Sequence, residues 1–315
     1  MKNFYSIEDV EDVDGLIETA MHMKNGPFNF SSTGKTKTLV LLFFNPSLRT
    51  KLSTQRAAFN LGMEVISMDM KSSWKWEFDE GAMMNLDTAE HVKEAAQVIA
   101  QYGDIVAIRS FPSLENRVLD YQDHVIRQFI KYCPVPVINL ESAIRHPLQS
   151  FADLLTVREK ISVPDPKIVL SWAPHPRALP QAVSNSFLEW MKFAGHSVIV
   201  THPQGYELDD EFMEGHQVEY DQDVAFQDAD IVYVKNWSSV KQYGQVLTQN
   251  PVWMITKDKL EKTNNAKLMH CLPVRRNVVI SDDAMDSNHS AIMDLAENRL
   301  YTAQAVLFKI LSAIE

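Results

Sequence analysis

The sequence predicts an α/β protein of two domains, each with a central parallel sheet flanked by helices. The chain has 315 residues, which exceeds the size at which a single hydrophobic core usually divides. Short apolar runs alternate with helical patterns from end to end. Strands that are apolar on both faces and separated by helices are typical of parallel sheets built from βαβ units.

Eight strands are predicted in two series. The first series is 38–44, 64–70, 104–111 and 135–140, and the second is 167–172, 196–202, 229–235 and 266–271. Helices are predicted at 49–61, 88–102, 115–132, 147–161, 180–194 and 297–313. At the first of these helices, Leu48, Leu52 and Phe59 fall on one apolar stripe, and Gly62 marks the C-terminal end. We place the domain boundary between residues 145 and 165, where a helix and the Val163–Lys167 turn separate the two series.

Composition limits the classes of partner. Lysine and arginine number 30 and aspartate and glutamate 41, so the net charge is −11, and a chain this acidic is a poor ligand for nucleic acid or an anionic membrane. Cys133 and Cys271 lie far apart without metal-type spacing, so neither a disulfide framework nor a metal site is predicted. The N-terminal sequence has no apolar signal region. We expect a cytoplasmic protein that needs no metal or other cofactor.

Basic and polar residues recur at the carboxyl ends of the predicted strands, where folds of this class bind ligands. They are Ser47–Thr50, Arg109, Glu141, Arg145–Gln149, His175, Lys235–Trp237 and His270–Arg276. Taken singly, His146 and His175 are also explained as helix or turn caps, and Lys235 as a surface lysine. Their coincidence at six strand ends favours one anion-binding cleft between the domains.

The segment 45–53, Asn-Pro-Ser-Leu-Arg-Thr-Lys-Leu-Ser, follows the first strand directly. Backbone N–H groups at a helix start, two hydroxyls and a guanidinium together suit a phosphate-like dianion. The alternative is that Ser47 only caps the helix and Arg49 is solvated, and this stretch alone favours neither reading.

Two other motifs do not support nucleotide or nucleic-acid binding. Thr33-Gly-Lys-Thr36 is similar to part of a P-loop, but Asn29 stands where the earlier glycine is required, and the segment precedes a strand instead of following one. We interpret it as a polar turn. Trp74-Lys-Trp76 offers aromatic faces for base stacking, but the acidity of the chain disfavours that partner.

Three motifs occur in a fixed order: Ser47-Leu-Arg-Thr50, His146-Pro-Leu-Gln149 and His270-Cys-Leu-Pro273. They resemble the Ser-Thr-Arg-Thr, His-Pro-x-Gln and His-Cys-Leu-Pro motifs of the transcarbamylase family, the last from its ornithine branch. The resemblance covers nearly the whole chain. The stretches 172–177, 234–237 and 271–277 resemble the subgroup that acts on acylated ornithines.

The resemblance implies a role for each matching residue. The groups implied to bind carbamoyl phosphate are Ser47, Leu48, Arg49, Thr50, Trp74, Arg109, His146, Gln149, Cys271, Leu272 and Arg299. The residues with an implied catalytic role are Thr50, Arg109, His146 and Cys271. Those implied to bind the acylated amino acid are Glu141, His175, Lys235 and Arg275. Trp74 is implied to enter the site of a neighbouring subunit in a homotrimer, and the Pro174–Pro180 loop to form part of a knot in the second domain.

The implied reaction carries the carbamoyl group of carbamoyl phosphate to the side-chain amine of an N-acyl-L-ornithine, in arginine biosynthesis. Residues 1–146 with the C-terminal helix 297–315 would form the carbamoyl-phosphate-binding domain, and 147–296 the acylornithine-binding domain. The chain lacks the Ser-Met-Gly loop with which ornithine transcarbamylases bind a free α-amino group. The cation of Lys235 at the corresponding strand end disfavours an ammonium ligand.

The acyl group is assigned from one position. Acetyl-specific members carry glutamate before a Glu-His pair and succinyl-specific members proline, whereas here Ala89 precedes Glu90-His91. Since alanine removes a carboxylate that would repel a second anionic group, we predict N-succinyl-L-ornithine as acceptor and N-succinyl-L-citrulline and phosphate as products. N-acetylornithine is the first alternative, and a non-catalytic relative that binds a metabolite is the second.

Overall fold

A computed structural model describes residues 1–314 and confirms the α/β fold class with parallel sheets flanked by helices. The chain divides into two compact units. The first comprises residues 1–113, 118–148 and the chain from Arg299 onward, and the second comprises 114–117 and 149–298. No helix within residues 1–314 is both long and apolar enough to cross a membrane.

The first unit contains a four-stranded parallel sheet in the order β2-β1-β5-β6 and a separate two-stranded sheet, β3-β4. The strands are β1 Thr38–Phe43, β2 Glu64–Asp69, β3 Lys75–Glu77, β4 Thr88–His91, β5 Ile105–Arg109 and β6 Val137–Glu141. Its helices are α1 Val13–Asn25, α2 Leu48–Asn60, α3 Val92–Ile99, α4 Arg117–Tyr121 and α5 His124–Tyr132. Most of the last helix, α12 Ile292–Ile314, also belongs to this unit.

The second unit contains a five-stranded parallel sheet in the order β11-β10-β7-β8-β9. The strands are β7 Ile168–Trp172, β8 Val198–Thr201, β9 Gln217–Glu219, β10 Ile231–Lys235 and β11 Lys267–Met269. The helices are α6 Pro147–Lys160, α7 Ala182–Phe193, α8 Asp210–Met213, α9 Gln222–Phe226, α10 Lys257–Leu260 and α11 Asp282–Met285. The predicted threading of the chain through the Pro174–Pro180 loop stays a prediction.

Parallel register brings the functional strand ends together within each unit. In the first, Phe43 at the end of β1 is the partner of Arg109 at the end of β5. In the second, Trp172 and Lys235 end neighbouring strands β7 and β10 in the same register. Valine, leucine and isoleucine side chains of these central strands are buried, and each contributes about 1.5–3 kcal/mol of hydrophobic stabilisation. The cores therefore fix the positions of the residues that follow them.

The apolar stripe of α2 lies on the exposed side of the helix. Leu48, Leu52 and Phe59 are 67%, 58% and 60% exposed. The buried side is formed by small residues, namely Thr50, Thr54, Ala57 and Ala58. Small side chains let the helix backbone approach the sheet closely, so in this chain the stripe does not mark the core. Gly62, with φ 82°, follows the helix end as predicted.

Two predicted helices were partly wrong. The helix expected at 88–102 starts only at Val92, because residues 88–91 form β4 and the His91 side chain caps the helix by accepting from the Lys93 amide at 3.1 Å. The helix expected at 115–132 is interrupted by Asp123, whose φ of 52° lies in the left-handed region. Helix α1, which begins after an Asp12 cap, was not predicted.

Candidate active site

The N-terminus of α2 forms the first part of the site. Ser47 is extended and its hydroxyl accepts from the Thr50 amide at 3.3 Å, so it does cap the helix. The first-turn amides of an α-helix lack acceptors within the helix, and the helix dipole adds a partial positive charge there. Capping by Ser47 and binding of an anion at this turn are therefore compatible.

A second guanidinium lies against the same turn. Arg299 of α12 is buried, and its Nη2 donates to Thr50 Oγ1 at 3.1 Å. Thr50 itself is buried. The contact joins residues 249 positions apart in the sequence. Arg299 thereby adds positive charge to the turn that already carries Arg49.

Arg109 and Glu141 form a buried ion pair at the ends of adjacent strands. Nε and Nη2 of Arg109 donate to Oε2 of Glu141 at 3.2 and 3.0 Å. The two residues are register partners in β5 and β6, beside a local irregularity in the pairing. Buried charges are costly unless they are paired and hydrogen-bonded, so each residue holds the other in place.

Arg109 also holds the turn that precedes α2. Its Nη1 donates to the Asn45 carbonyl at 3.0 Å and to the Pro46 carbonyl, and its guanidinium lies 4.1 Å from the centre of the Phe111 ring. A guanidinium has five N–H groups. Among residues 1–314, Nε makes one hydrogen bond, Nη1 makes two and Nη2 makes one. Four of the five N–H groups are therefore engaged, and the fifth is on Nη2. That remaining donor is available for a ligand.

His146 completes the group. It is buried immediately before α6, and its Nε2 lies 3.5 Å from Oε2 of Glu141, the same oxygen that Arg109 contacts. One carboxylate oxygen therefore accepts from a guanidinium and lies near an imidazole. Preorganised donors of this kind stabilise an oxyanion as it develops in a transition state, and they need little reorganisation to do so.

Ala89 lies in β4 of the small sheet, and Trp74 directly precedes β3. Trp74 is 60% exposed, and its Nε1 donates to Glu90 Oε2 at 2.9 Å. Ala89 is exposed on β4, next to that glutamate. Trp74 and Ala89 therefore belong to one surface element of the first unit.

Three cationic side chains and a histidine lie together in the second unit. Nε of Arg275 donates to Nε2 of His175 at 3.1 Å, and Nδ1 of His175 lies 2.9 Å from the Arg177 carbonyl. Nδ1 also lies 3.1 Å from the Arg177 amide nitrogen. Burial, and then the charges of Arg275, Lys235 and Arg177, lower the pKa of His175. The imidazole is therefore neutral at pH 7 within an electropositive group.

The His-Cys-Leu-Pro segment has a strained backbone. Leu272 adopts φ 55°, in the left-handed region, and its amide donates to His270 Nδ1 at 2.8 Å. A bulky residue in this region costs about 1–3 kcal/mol and persists where the surrounding structure enforces it.

Gln149 of α6 is also buried in the second unit. Its side-chain amide donates to Asp153, one helical turn later, at 2.8 Å.

The predicted site residues separate into two sets. The first unit holds Ser47, Leu48, Arg49, Thr50, Trp74, Ala89, Arg109, Glu141, His146 and Arg299. The second holds Gln149, His175, Lys235, Cys271, Leu272 and Arg275. Glu141, which was grouped with the acylornithine ligands, lies with Arg109 and His146 in the first unit.

Sequence reasoning missed the residues that support these sets. Asn45 accepts from the Phe111 amide at 2.7 Å, and Asp153 orients Gln149. The i, i+4 spacing of Gln149 and Asp153 was a usable signal. Asn45 and Phe111 lie too far apart in sequence for any local pattern to connect them.

Parallel sheets with guanidinium, imidazole and hydroxyl groups at their strand ends, near the N-termini of helices, are typical of α/β enzymes that act on anionic substrates. Residues 2–159 match the carbamoyl-phosphate-binding domain of the aspartate/ornithine carbamoyltransferases, and residues 180–310 match their aspartate/ornithine-binding domain. The chain belongs to this family and is a carbamoyltransferase.

Similar proteins share its full length. The N-succinylornithine carbamoyltransferase of Bacteroides thetaiotaomicron is 45% identical, with 100% of both chains covered. The N-acetylornithine carbamoyltransferase of Xanthomonas campestris pv. campestris is 36% identical over 98% of this chain and 97% of its own. The crystal structure of an acetylornithine transcarbamylase complexed with acetylcitrulline has a TM-score of 0.93 at 35% identity, covering 98% of this chain and 99% of the other.

Proposed function

We propose that the enzyme transfers the carbamoyl group of carbamoyl phosphate to the side-chain amine of N-succinyl-L-ornithine, giving N-succinyl-L-citrulline and phosphate in arginine biosynthesis. The observation that carries this proposal is the 45% identity, over the whole chain, to an N-succinylornithine carbamoyltransferase. The acetyl-type relative is 36% identical.

The first unit supplies groups suited to carbamoyl phosphate. The N-terminal turn of α2, with Arg49 and Arg299, would bind the phosphate through amide, hydroxyl and guanidinium donors. Arg109, with its one remaining N–H group, and His146 would donate to the carbonyl oxygen as it gains negative charge. Each bond formed in the transfer is matched by one broken: the amine nitrogen bonds to the carbamoyl carbon, and the carbon–oxygen bond to phosphate breaks.

The second unit supplies groups suited to a dianionic acceptor. N-succinyl-L-ornithine carries an α-carboxylate and a succinyl carboxylate, and Lys235 and Arg275 are cations that would bind them. His175, neutral and bonded to Arg275, would hold that guanidinium in place. The attacking amine has a pKa of about 10.4 when free, so it must lose its extra proton before it attacks, and a second proton leaves the nitrogen as the ureido group forms.

The direct test is an assay for the ureido product with carbamoyl phosphate and each of three amines: N-succinyl-L-ornithine, N-acetyl-L-ornithine and L-ornithine. We expect the highest kcat/KM with the succinyl compound and no detectable product from free ornithine. Higher kcat/KM with the acetyl compound would reassign the acceptor. No turnover with any amine, together with binding of carbamoyl phosphate, would favour the metabolite-binding alternative.

Replacing Ala89 by glutamate is expected to shift preference from N-succinyl- to N-acetyl-L-ornithine, because the new carboxylate would repel the succinyl group and occupy its space. We propose that Ala89 stands where acetyl-type enzymes carry glutamate. In support, a variant N-acetyl-L-ornithine transcarbamylase with glutamate replaced by alanine was crystallised with carbamyl phosphate and N-succinyl-L-norvaline. The measurement is kcat/KM for both acceptors, with Ala89→Gln as the uncharged control. If the ratio of kcat/KM for the two acceptors is unchanged in Ala89→Glu, residue 89 does not contact the acyl group.

We also propose that the active enzyme is a homotrimer in which Trp74 reaches a neighbouring subunit's site. The large exposed fraction of Trp74 and its place on the β3-β4 element support this. Trp74→Ala and Arg49→Ala proteins are each expected to have strongly reduced activity. Mixing them after reversible dissociation should restore part of it, because some subunit boundaries then combine an intact Arg49 of one chain with an intact Trp74 of its neighbour. Mass spectrometry of differently labelled chains verifies exchange. Exchanged mixtures that stay inactive would show that each chain carries its whole site.

A further inference from the structure

Asp123 lies behind the segment that connects Glu141 to His146. Its side chain is buried, and both carboxylate oxygens accept hydrogen bonds. Oδ2 accepts from the Ser142 hydroxyl at 2.6 Å and from the Tyr5 hydroxyl at 2.8 Å, and Oδ1 accepts from the Ala143 amide at 2.9 Å. Two of these three donors belong to the turn 142–145. Asp123 thus holds the turn that separates the two site residues.

Asp123 does not cap the helix that it precedes. It occupies the N-cap position of α5, but its side chain makes no capping bond to that helix. An aspartate at this position normally caps and contributes about 1 kcal/mol. Its φ of 52° and ψ of 41° are left-handed, a conformation that most residues with a Cβ atom avoid and that aspartate tolerates better than most. The carboxylate is instead committed to the distant turn.

Tyr5 connects Asp123 to Arg145, the residue just before His146. Nη1 of Arg145 donates to the Tyr5 hydroxyl at 3.1 Å, and that hydroxyl donates to Asp123. The Arg145 guanidinium also lies 5.4 Å from the centre of the Tyr5 ring. Within the turn, the Ser142 amide donates to the Arg145 carbonyl at 2.8 Å. The turn is therefore held at both ends by one buried network.

We propose that Asp123 is a positioning residue that fixes the directions in which Glu141 and His146 present their side chains to the carbamoyl group. The inference rests on the proposed function, in which His146 and the Glu141-oriented Arg109 donate to the carbonyl oxygen. Asp123 acts only through the turn. The phosphate-binding turn of α2 and Arg299 make none of the contacts described for this network.

The variant Asp123→Asn keeps the side-chain volume and replaces one acceptor oxygen by a donor. In one orientation of the asparagine the NH2 group faces the Tyr5 and Ser142 hydroxyls, and in the other it faces the Ala143 amide. An NH2 group cannot accept a hydrogen bond, so either orientation loses part of the hold on the turn. A displacement of about 1 Å costs about 100-fold in rate. We expect kcat to fall by about 10- to 100-fold, while KM for carbamoyl phosphate and the calorimetric Kd for inorganic phosphate change by less than about threefold.

Asp104→Asn is the matched control. Asp104 accepts from the Thr38 amide at 2.8 Å and contacts Lys37 at 3.2 Å, at the amino ends of the strands and away from the site. We expect it to lose thermal stability without loss of kcat. Tyr5→Phe, which removes one donor to Asp123 and the link to Arg145, should lower kcat in the same direction as Asp123→Asn by a smaller factor, and it serves if Asp123→Asn does not fold.

A readout independent of turnover separates this inference from the proposed function. The His146 imidazole resonances, assigned by comparison with His146→Gln, should shift in Asp123→Asn and Tyr5→Phe but stay in place in Asp104→Asn. If wild-type protein carbamoylates no amine, the proposed function fails and these shifts still test the positioning role. Unmoved His146 resonances, or kcat and phosphate affinity falling together in Asp123→Asn, would overturn the inference.

Discussion

The Arg109→Met variant is expected to lose activity by about 1000-fold or more in kcat/KM. Removing one preorganised oxyanion donor typically costs about 100- to 1000-fold. Arg109 additionally holds the Asn45 and Pro46 carbonyls before α2, so its loss should also disturb the phosphate-binding turn. Steady-state kinetics with both substrates measure the effect.

The same variant should be less stable, because it leaves the Glu141 carboxylate buried without its partner. Breaking a buried ion pair by removing one member costs about 3–5 kcal/mol, whereas removing both charges costs much less. The double variant Arg109→Met/Glu141→Gln should therefore recover most of the lost stability in denaturant unfolding and none of the activity. A double variant that regains activity together with stability would show that Arg109 serves the fold and not the reaction.

Arg49→Ala is expected to have the second-largest effect. A charge-assisted, bidentate contact to phosphate contributes about 2–4 kcal/mol of transition-state stabilisation, which corresponds to a roughly 30- to 1000-fold fall in kcat/KM for carbamoyl phosphate. The loss should appear mainly with this substrate, since the carboxylates of the acceptor are assigned to Lys235 and Arg275 of the second unit. Initial rates at varied carbamoyl phosphate and saturating acceptor give the value.

Arg56→Ala provides the control on the same helix. Arg56 lies seven positions after Arg49, and its guanidinium packs 5.0 Å from the Phe59 ring and 5.5 Å from the Phe28 ring. It shares helix, residue type and charge with Arg49 but lies away from the first turn. We expect wild-type kinetics for Arg56→Ala. An Arg49→Ala enzyme as active as this control would contradict the assignment of the α2 N-terminal turn as the phosphate-binding site.

The strands, and the residues at their carboxyl ends, could be predicted from the sequence because they depend on short-range patterns. All eight predicted strands form, since runs such as Thr38–Phe43 and Ile231–Lys235 are apolar over most of their length. The rule that ligands bind at the carboxyl ends of parallel strands then placed Arg109 and Lys235 correctly at strand ends.

Helix faces and interruptions were less accessible. The stripe of Leu48, Leu52 and Phe59 has helical spacing, but the side that packs on the sheet is selected by close approach of small residues. Likewise, nothing near Asp123 shows that its carboxylate is committed to Ser142, 19 positions later. Partners separated so far are brought together only by the completed fold.

The contact between Gln304 of α12 and residues made early in synthesis, Pro27 and Asn60, has a consequence for biosynthesis. The Gln304 side chain accepts from Nδ2 of Asn60 at 3.0 Å and donates to the Pro27 carbonyl at 2.7 Å. A ribosome adds about 5–20 residues per second, so Asn60 waits roughly 10 to 50 seconds for a partner made 244 residues later. Residues 149–298 are all synthesised before α12 is complete, so the later-made unit is the first able to finish folding. The first unit therefore stays incomplete until α12 has been made, although most of its residues are synthesised first.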